Sequence, residues 1–365
     1  MTDLFSQPSV VRLRPALDGV PAYVSGKPAA PLPGVTTYKM SSNENPYPPL
    51  PSVLEVIARA ASVINRYPDM NNVALKAAIA TSCARRAENI VVGPGSTGVL
   101  AQIIQATCDA GDEVVFAWRS FEAYPILVQL AGAVPVQVPL TDTGDHDLRA
   151  MASAITARTR LVLLCSPNNP SGTVISDADA RAFLAQVPPS VAVVLDEAYG
   201  EFVSDEDAAD GLSLQADFPN LITARTFSKA YGLAGLRVGY AVAHPTLAEA
   251  FAKTAIPFGV NVLAQAAAVH SLSAADELAE RVRQLIAERE RVADALALQG
   301  WRLPRSQANF VHFPLGEQSA AFNDACDAAG LVVRLYGTDG VRVTISEREA
   351  NDRLLQVADA FLAGR

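Results

Sequence analysis

Cysteine is scarce in this sequence and scattered where it occurs. Cys83, Cys108, Cys165 and Cys326 include no CxxC pair. Three of them lie among apolar or small residues, so buried, reduced thiols of a cytosolic protein are expected. Histidine is as sparse: His146, His244, His270 and His312 stand at no metal-ligand spacing, which argues against a zinc site. Positive charge is in deficit, with 29 Lys and Arg against 38 Asp and Glu and a net charge of −9. A nucleic-acid partner therefore finds no electrostatic support. No apolar run approaches the ~20 residues of a membrane span. The N-terminus carries Asp3 and no apolar block behind a basic cluster, so no signal peptide is expected. Internal repeats and long low-complexity tracts are also missing. What remains is 365 residues, half of them hydrophobic and 18% charged. That is enough for a sizeable core in one large or two ordinary domains. The expectation is a soluble, cytoplasmic enzyme for small molecules, with no nucleic-acid or membrane partner.

Residues 1–40 are rich in proline and turn formers and read as an arm over the surface. Ser42-Asn-Glu-Asn-Pro-Tyr47 is a polar cluster, either an ordinary loop or a lid. Helices are expected over 52–64, with Ser52 as N-cap, and over 72–85. From residue 89 strands and helices alternate: strands at 89–93, 113–117, 134–139, 160–165, 191–195 and 221–224, helices following 93–98 and over 121–130. Continuous apolar strands with intervening amphipathic helices predict an α/β fold, a mostly parallel sheet flanked by helices. Helices at 247–253, 262–272 and 275–298 follow. Strands at 310–313, 332–335 and 341–345, with helices at 319–329 and 347–362, predict a smaller α+β domain. The expected division is an arm at 1–40, a large domain at 41–273 and a small one at 274–365.

Ligands of open parallel sheets bind beyond the carboxyl ends of strands. The chemistry-bearing residues fall there: Gly95 to Gly98, Asn169, Asp196 with Tyr199, and Ser228 with Lys229. In Thr226-Phe-Ser-Lys-Ala-Tyr-Gly-Leu-Ala-Gly-Leu-Arg-Val-Gly239 a single lysine sits among small and apolar neighbours. Desolvation and nearby cationic charge there would lower its pKa and make it an amine nucleophile. Thr226, Ser228 and Arg237 supply hydroxyls and a guanidinium suited to a phosphate. An amine beside a phosphate clamp points to pyridoxal 5′-phosphate (PLP) held as a Schiff base. The plain alternative is a surface lysine in a glycine-rich turn.

Gly93-Pro-Gly-Ser-Thr-Gly98 matches G-x-G-x-x-G between a strand and a helix. A dinucleotide site also needs a carboxylate about 20 positions on, and Phe116-Ala-Trp-Arg-Ser-Phe121 has none. The loop's backbone N–H groups and Thr97 are still able to hold phosphate. Asp196 could cap a turn, or it could keep a pyridine nitrogen protonated. Asn169 and Tyr199 could reach the ring's phenolic oxygen, whereas Asn168-Asn169-Pro170 could also be only a turn.

Ser166-Pro-Asn-Asn-Pro-Ser-Gly172, Asp196-Glu-Ala-Tyr199 and Ser228-Lys-Ala-Tyr-Gly-Leu-Ala-Gly-Leu-Arg237 resemble fold-type I PLP-dependent aminotransferases. The resemblance covers essentially the whole chain and is closest to the histidinol-phosphate aminotransferase branch. Trp118-Arg-Ser-Phe-Glu-Ala-Tyr124 and Lys253-Thr-Ala-Ile-Pro-Phe258 resemble its actinobacterial aromatic (phenylalanine) members. The similarity implies Lys229 as the Schiff-base lysine and proton carrier, Asp196 as the pyridinium partner, and Asn169 and Tyr199 at the ring oxygen. It further implies Ser96, Thr97, Ser228 and Arg237 at the phosphate, with Thr226 beside them, and Phe121 stacked on the ring. Tyr67 would reach the phosphate from the other subunit of a homodimer. Arg342 would clamp the substrate carboxylate, and Arg334, Tyr23 and Asn43 complete the substrate-side expectations. The implied reaction is a ping-pong transamination between phenylalanine or tyrosine and 2-oxoglutarate. Its alternative is histidinol phosphate.

Overall fold

The computed structural model describes residues 11–24, 26 and 32–364. Its strands, in chain order, are β1 (Tyr38–Lys39), β2 (Ile90–Gly93), β3 (Glu113–Trp118), β4 (Val134–Pro139), β5 (Thr159–Cys165) and β6 (Ala192–Asp196). They continue as β7 (Leu221–Thr226), β8 (Gly239–Val242), β9 (Phe310–Phe313), β10 (Leu331–Val332), β11 (Arg334–Leu335) and β12 (Val341–Thr344). One seven-stranded sheet runs in the order β2-β8-β7-β6-β5-β3-β4. It is parallel except for β8, which lies antiparallel to β2 and β7.

Side-chain alternation along the strands divides the core in two. Val114, Phe116, Leu161, Leu163 and Val194 join one buried cluster, while Val115, Ala117, Val162, Leu164 and Val193 join another. Both faces are covered, so the central strands have no polar side to show. The helix Gly95–Thr107 presents Val99, Leu100, Ile103 and Ile104 to the first cluster, the i, i+4 stripe of an amphipathic helix. At the edge, β4 is largely exposed and carries Pro135 and Pro139, residues tolerated where no further strand must pair.

A second assembly follows the helix Ala275–Leu298. Strands β11, β12 and β9 form an antiparallel sheet. Helices Ser319–Ala328 and Arg348–Ala363 pack on it around Trp301, Phe313, Phe322 and Leu354. Met40 belongs to this core, and β1 pairs in parallel with β10. The end of the expected arm is thus tied down, while residues 1–10, 25 and 27–31 of it lie outside the described residues.

Three expectations are corrected. The first helix spans Pro51–Ala60 with Leu50 as N-cap, not Ser52, because proline at the first helical position has no N–H to satisfy,. The strand expected over 332–335 is divided: Leu331–Val332 pairs with β1, whereas Arg334–Leu335 pairs with β12. Strand β8 was not expected. Its four residues begin on a glycine and follow the Arg237 loop at once, leaving too short a run for strand periodicity to register.

Candidate active site

The carboxyl ends of the parallel strands open into a cavity of about 620 Å³. Register explains why so many polar groups meet there. Thr226 of β7 and Gly93 of β2 both lie opposite Gly239 of β8, and Cys165 of β5 lies opposite Asp196 of β6. Four strand ends therefore finish nearly level, and the turn after each one delivers its side chains to a common space.

Lys229 stands in that space. Its Nζ donates to the Ser42 carbonyl at 2.9 Å and lies 5.7 Å from the centre of the Tyr199 ring. Burial, aided by the Arg342 and Arg237 guanidiniums, lowers its pKa to about 7, against the opposing pull of Glu44. A large fraction of the amine is thus uncharged at neutral pH, as an amine nucleophile requires.

Asp196 is 2% exposed. Its Oδ2 accepts from the Tyr124 hydroxyl at 2.7 Å and its Oδ1 from the Ala198 amide at 3.2 Å. Burial raises its pKa to about 6, while these two donors hold it down. The carboxylate is ionised at neutral pH in a place that penalises charge, and a cationic partner would relieve that penalty.

At the opposite end, the first turn of the helix Gly95–Thr107 brings Ser96 and Thr97 to the cavity wall beside Ser228 and Arg237. Arg237 Nη1 donates to Ser228 Oγ at 3.2 Å, and Thr226 Oγ1 accepts from the Ser228 amide at 3.1 Å. A helix N-terminus, two hydroxyls and a guanidinium make an anion seat. Its backbone is close-set. A Cβ at Gly95 would come 2.3 Å from Arg237 Nη2, and one at Gly239 would come 2.3 Å from the Ser96 nitrogen. Gly95 also holds φ +76, a conformation glycine adopts without strain.

Arg342 is 5% exposed. It donates to Asn169 Oδ1 and to the Ser41 carbonyl, the latter at 2.6 Å, and stacks over Phe310 and Tyr336. Among the described residues its buried Nε finds no hydrogen-bond partner. A buried cationic N–H left without an acceptor is rare and costly, which marks a seat for an anionic ligand. Asn169 and Tyr199 flank the cavity, and Phe121 lines it with its edge toward Tyr124, ring centres 5.6 Å apart.

The Ser42–Tyr47 cluster is irregular chain, and where it begins it is tied to the site. The carbonyls of Met40, Ser41, Ser42 and Asn43 accept in turn from Thr344 N, Arg342 Nη2, Lys229 Nζ and Asn309 Nδ2. This strap ties both sheets to the site. Asn43, expected on the substrate side, is wholly buried within it. Its amide donates to the Tyr199 hydroxyl at 2.9 Å and accepts from Thr344 Oγ1 at 3.0 Å. From there the side chain supports Tyr199, which lines the cavity, without lining it itself.

Arg334 does line the cavity, paired with Glu122 at 2.5 Å and donating to the Val24 carbonyl at 2.6 Å. Tyr23 lines it too and is half exposed. Tyr67 is not brought to the cavity by its own chain. It is 82% exposed and stacks on Phe258 at 4.6 Å. Sequence reasoning missed Tyr124, Glu122 and Tyr336. Tyr124 sits one position beyond an i, i+2 match to Phe121 on the same short turn and helix, and Tyr336 sits two positions after Arg334. Proximity to those candidates was the only available signal.

The donor set fits PLP: an amine of lowered pKa, an ionised buried carboxylate, an anion seat and a second, buried guanidinium with an unmet N–H. Comparison with known proteins decides the family. The family described as aminotransferase class I and II matches residues 36–357. The chain belongs to the class I and II aminotransferases. As members of this family do, it uses PLP as its cofactor. It is 55% identical over 350 residues to an aromatic amino acid aminotransferase of Streptomyces coelicolor, covering 96% of this chain and 97% of that one. The corresponding Rhodococcus jostii enzyme is 52% identical, with 95% of each chain covered. Among solved structures, the histidinol-phosphate aminotransferase of Sinorhizobium meliloti in complex with pyridoxal-5'-phosphate is 30% identical. It superposes with a TM-score of 0.86 over 98% of this chain and 99% of that one.

Proposed function

We propose that this aminotransferase moves an amino group between an aromatic amino acid and 2-oxoglutarate. The observation that carries the choice of substrate is the apolar part of the cavity lining. The lining there includes Ala101, Phe121, Ile126, Leu127 and Tyr336, and the cation Arg334 on it is already paired with Glu122. An uncharged ring gains from burial against such a wall. The names of the relatives at 50–55% identity support the same reading. Histidinol phosphate is the second reading, favoured by the Sinorhizobium meliloti likeness. Its phosphate would need Arg334 and would first have to displace the Glu122 carboxylate from it.

PLP, when bound, supplies the electron sink that makes the α-hydrogen of an amino acid acidic. Ser96, Thr97, Ser228 and Arg237 would hold its phosphate, and Asp196 its protonated ring nitrogen. Asn169 and Tyr199 would hold the ring oxygen, and Phe121 would cover the ring. Arg342 would grip the substrate's α-carboxylate through a fork that suits a planar anion. Lys229 would carry the proton away from the substrate's α-carbon as a general base, and its lowered pKa suits that task,.

The second subunit belongs to the same proposal. Ile64, Tyr67, Met70, Ile256 and Phe258 are all exposed apolar side chains, more suited to a face between two copies than to water. Tyr67 would reach the neighbouring site from that face. The cytoplasm is the proposed location, since four buried, unpaired thiols suit a reducing compartment,. The proposed division, 41–273 for the cofactor and 274–365 as the smaller unit, leaves the strap at 40–43 joining the two.

Adding phenylalanine to the holoenzyme without an oxo acid tests this reading. The cofactor absorbance should convert in a single turnover and be restored by 2-oxoglutarate. No conversion by phenylalanine or tyrosine would contradict it.

A further inference from the structure

The reaction proposed above makes a conflicting demand on one cavity. Its two substrates share an α-carboxylate, yet one carries an uncharged ring and the other a second carboxylate. A permanently bare cation in the side-chain pocket would penalise the ring, while a wholly apolar pocket would penalise the dicarboxylate. Arg334 and Glu122 lie where that conflict must be resolved. Arg334 faces Arg342 across the β11–β12 ladder, so the two guanidiniums project from paired positions. Both line the cavity, and both stack against the Tyr336 ring, at 5.5 and 5.6 Å. Two cations on one cavity wall can serve as a two-ended clamp, one for each end of a short dicarboxylate.

The two cations are treated differently. Among the described residues, Arg342 is held by neutral oxygens of Asn169 and Ser41 and keeps a buried N–H without an acceptor. Arg334 has a carboxylate against it, Glu122 Oε2 at 2.5 Å from Nη2. Glu122 comes from the turn that also carries Phe121, the expected ring-stacking residue, and it is a quarter exposed. It can therefore swing toward solvent without being buried unpaired.

We propose that Glu122 is a displaceable stand-in for the substrate's distal carboxylate. It occupies Arg334 while an aromatic side chain fills the pocket and gives way when 2-oxoglutarate or glutamate enters. This rests on the transaminase reading. With the ring bound, the Glu122–Arg334 pair is neutral and the apolar wall is not opposed by a net charge. With the dicarboxylate bound, its distal carboxylate replaces Glu122 at Nη2, and Glu122 turns outward to water. Each substrate meets a pocket matched to it, and affinity for the dicarboxylate is reduced by the fraction of time Glu122 holds the arginine.

The test uses the holoenzyme and measures the two half-reactions separately by single-turnover absorbance, giving a Kd for each substrate. In Glu122→Gln, the Kd for 2-oxoglutarate should fall by about tenfold, the occupancy factor of a pair closed about nine-tenths of the time. The Kd for phenylalanine should rise in the same variant, because Arg334 is left uncompensated. Arg334→Gln should weaken 2-oxoglutarate much more than phenylalanine. Glu122→Asp, which keeps the charge on a shorter stem, should stay nearer to wild type than Glu122→Gln. If the Glu122 variants move both substrates by the same factor, or if Glu122→Gln weakens 2-oxoglutarate, the proposal is overturned. Should wild-type enzyme fail with every aromatic substrate, the functional reading falls. The ratio of 2-oxoglutarate to leucine across the same variants would still decide the role of Glu122.

Discussion

Lys229 and Asp196 owe their chemistry to where their strands end. The amine is pushed down to about 7 and the carboxylate up to about 6, both chiefly by burial. A group with a lowered amine pKa becomes a nucleophile as pH rises through that value. The rate of cofactor uptake by the apoenzyme should therefore climb between pH 6 and 8, with a midpoint near the value of about 7 set for Lys229. Stopped-flow absorbance after mixing with PLP would follow it. Tyr124 has the reverse leverage, since its hydrogen bond favours the ionised Asp196. Tyr124→Phe should raise the Asp196 pKa and move the acid limb of the kcat profile to higher pH. It should also cost about 1.5–3 kcal/mol in the buried charge-assisted bond, read from denaturant midpoints of the apoenzyme. A merely structural tyrosine would lower stability without moving that limb. Lys229, Asp196 and Arg237 were legible in the sequence because each sits in a motif at a strand end. Tyr124 was not, because nothing along the chain shows that an apolar-looking helix residue turns its hydroxyl toward a carboxylate 72 positions away.

At the scale of elements, the parallel strands were readable because fully buried strands are continuous apolar runs between turn signals. Strand β8 and the strap at 40–43 were not. Both derive their form from long-range pairing: Gly239 from its place opposite both Gly93 and Thr226, and Ser41 and Ser42 from carbonyls taken up by Arg342 and Lys229. Apart from Thr226, these partners lie roughly 150–300 residues away in the chain and leave no local period,. The same pairing gives a prediction. Gly239→Ala places a methyl 2.3 Å from the Ser96 nitrogen, so the first turn of the helix Gly95–Thr107 must shift away from Arg237. The Kd for PLP should rise by about tenfold or more, as expected when an oriented anion-binding N–H and its guanidinium partner separate. Equilibrium titration of the apoenzyme would measure it. Unchanged PLP affinity would show that this turn does not hold the phosphate.

For the whole molecule, Tyr67 raises the question of assembly. A tyrosine that is 82% exposed, stacked on Phe258 and outside the lining of its own cavity, makes sense if it completes a neighbour's site. Sedimentation should show a dimer, and Tyr67→Phe should weaken PLP binding without dissociating it. A monomeric, fully active enzyme at assay concentration would remove Tyr67 from the account. Fold class was legible at this scale because strand and helix alternation dictates layers. Substrate choice was not, because it depends on Glu122 and Arg334 meeting across 212 positions. That choice is the central claim, and one comparison tests it most directly. With glutamate as donor, kcat/KM is measured for phenylpyruvate, 4-hydroxyphenylpyruvate and imidazole-acetol phosphate on the same holoenzyme preparation. The account predicts that both aromatic oxo acids exceed the phosphate ester by at least about tenfold, because the ester, unlike an uncharged ring, must first displace Glu122 from Arg334,. A preference for imidazole-acetol phosphate would contradict it.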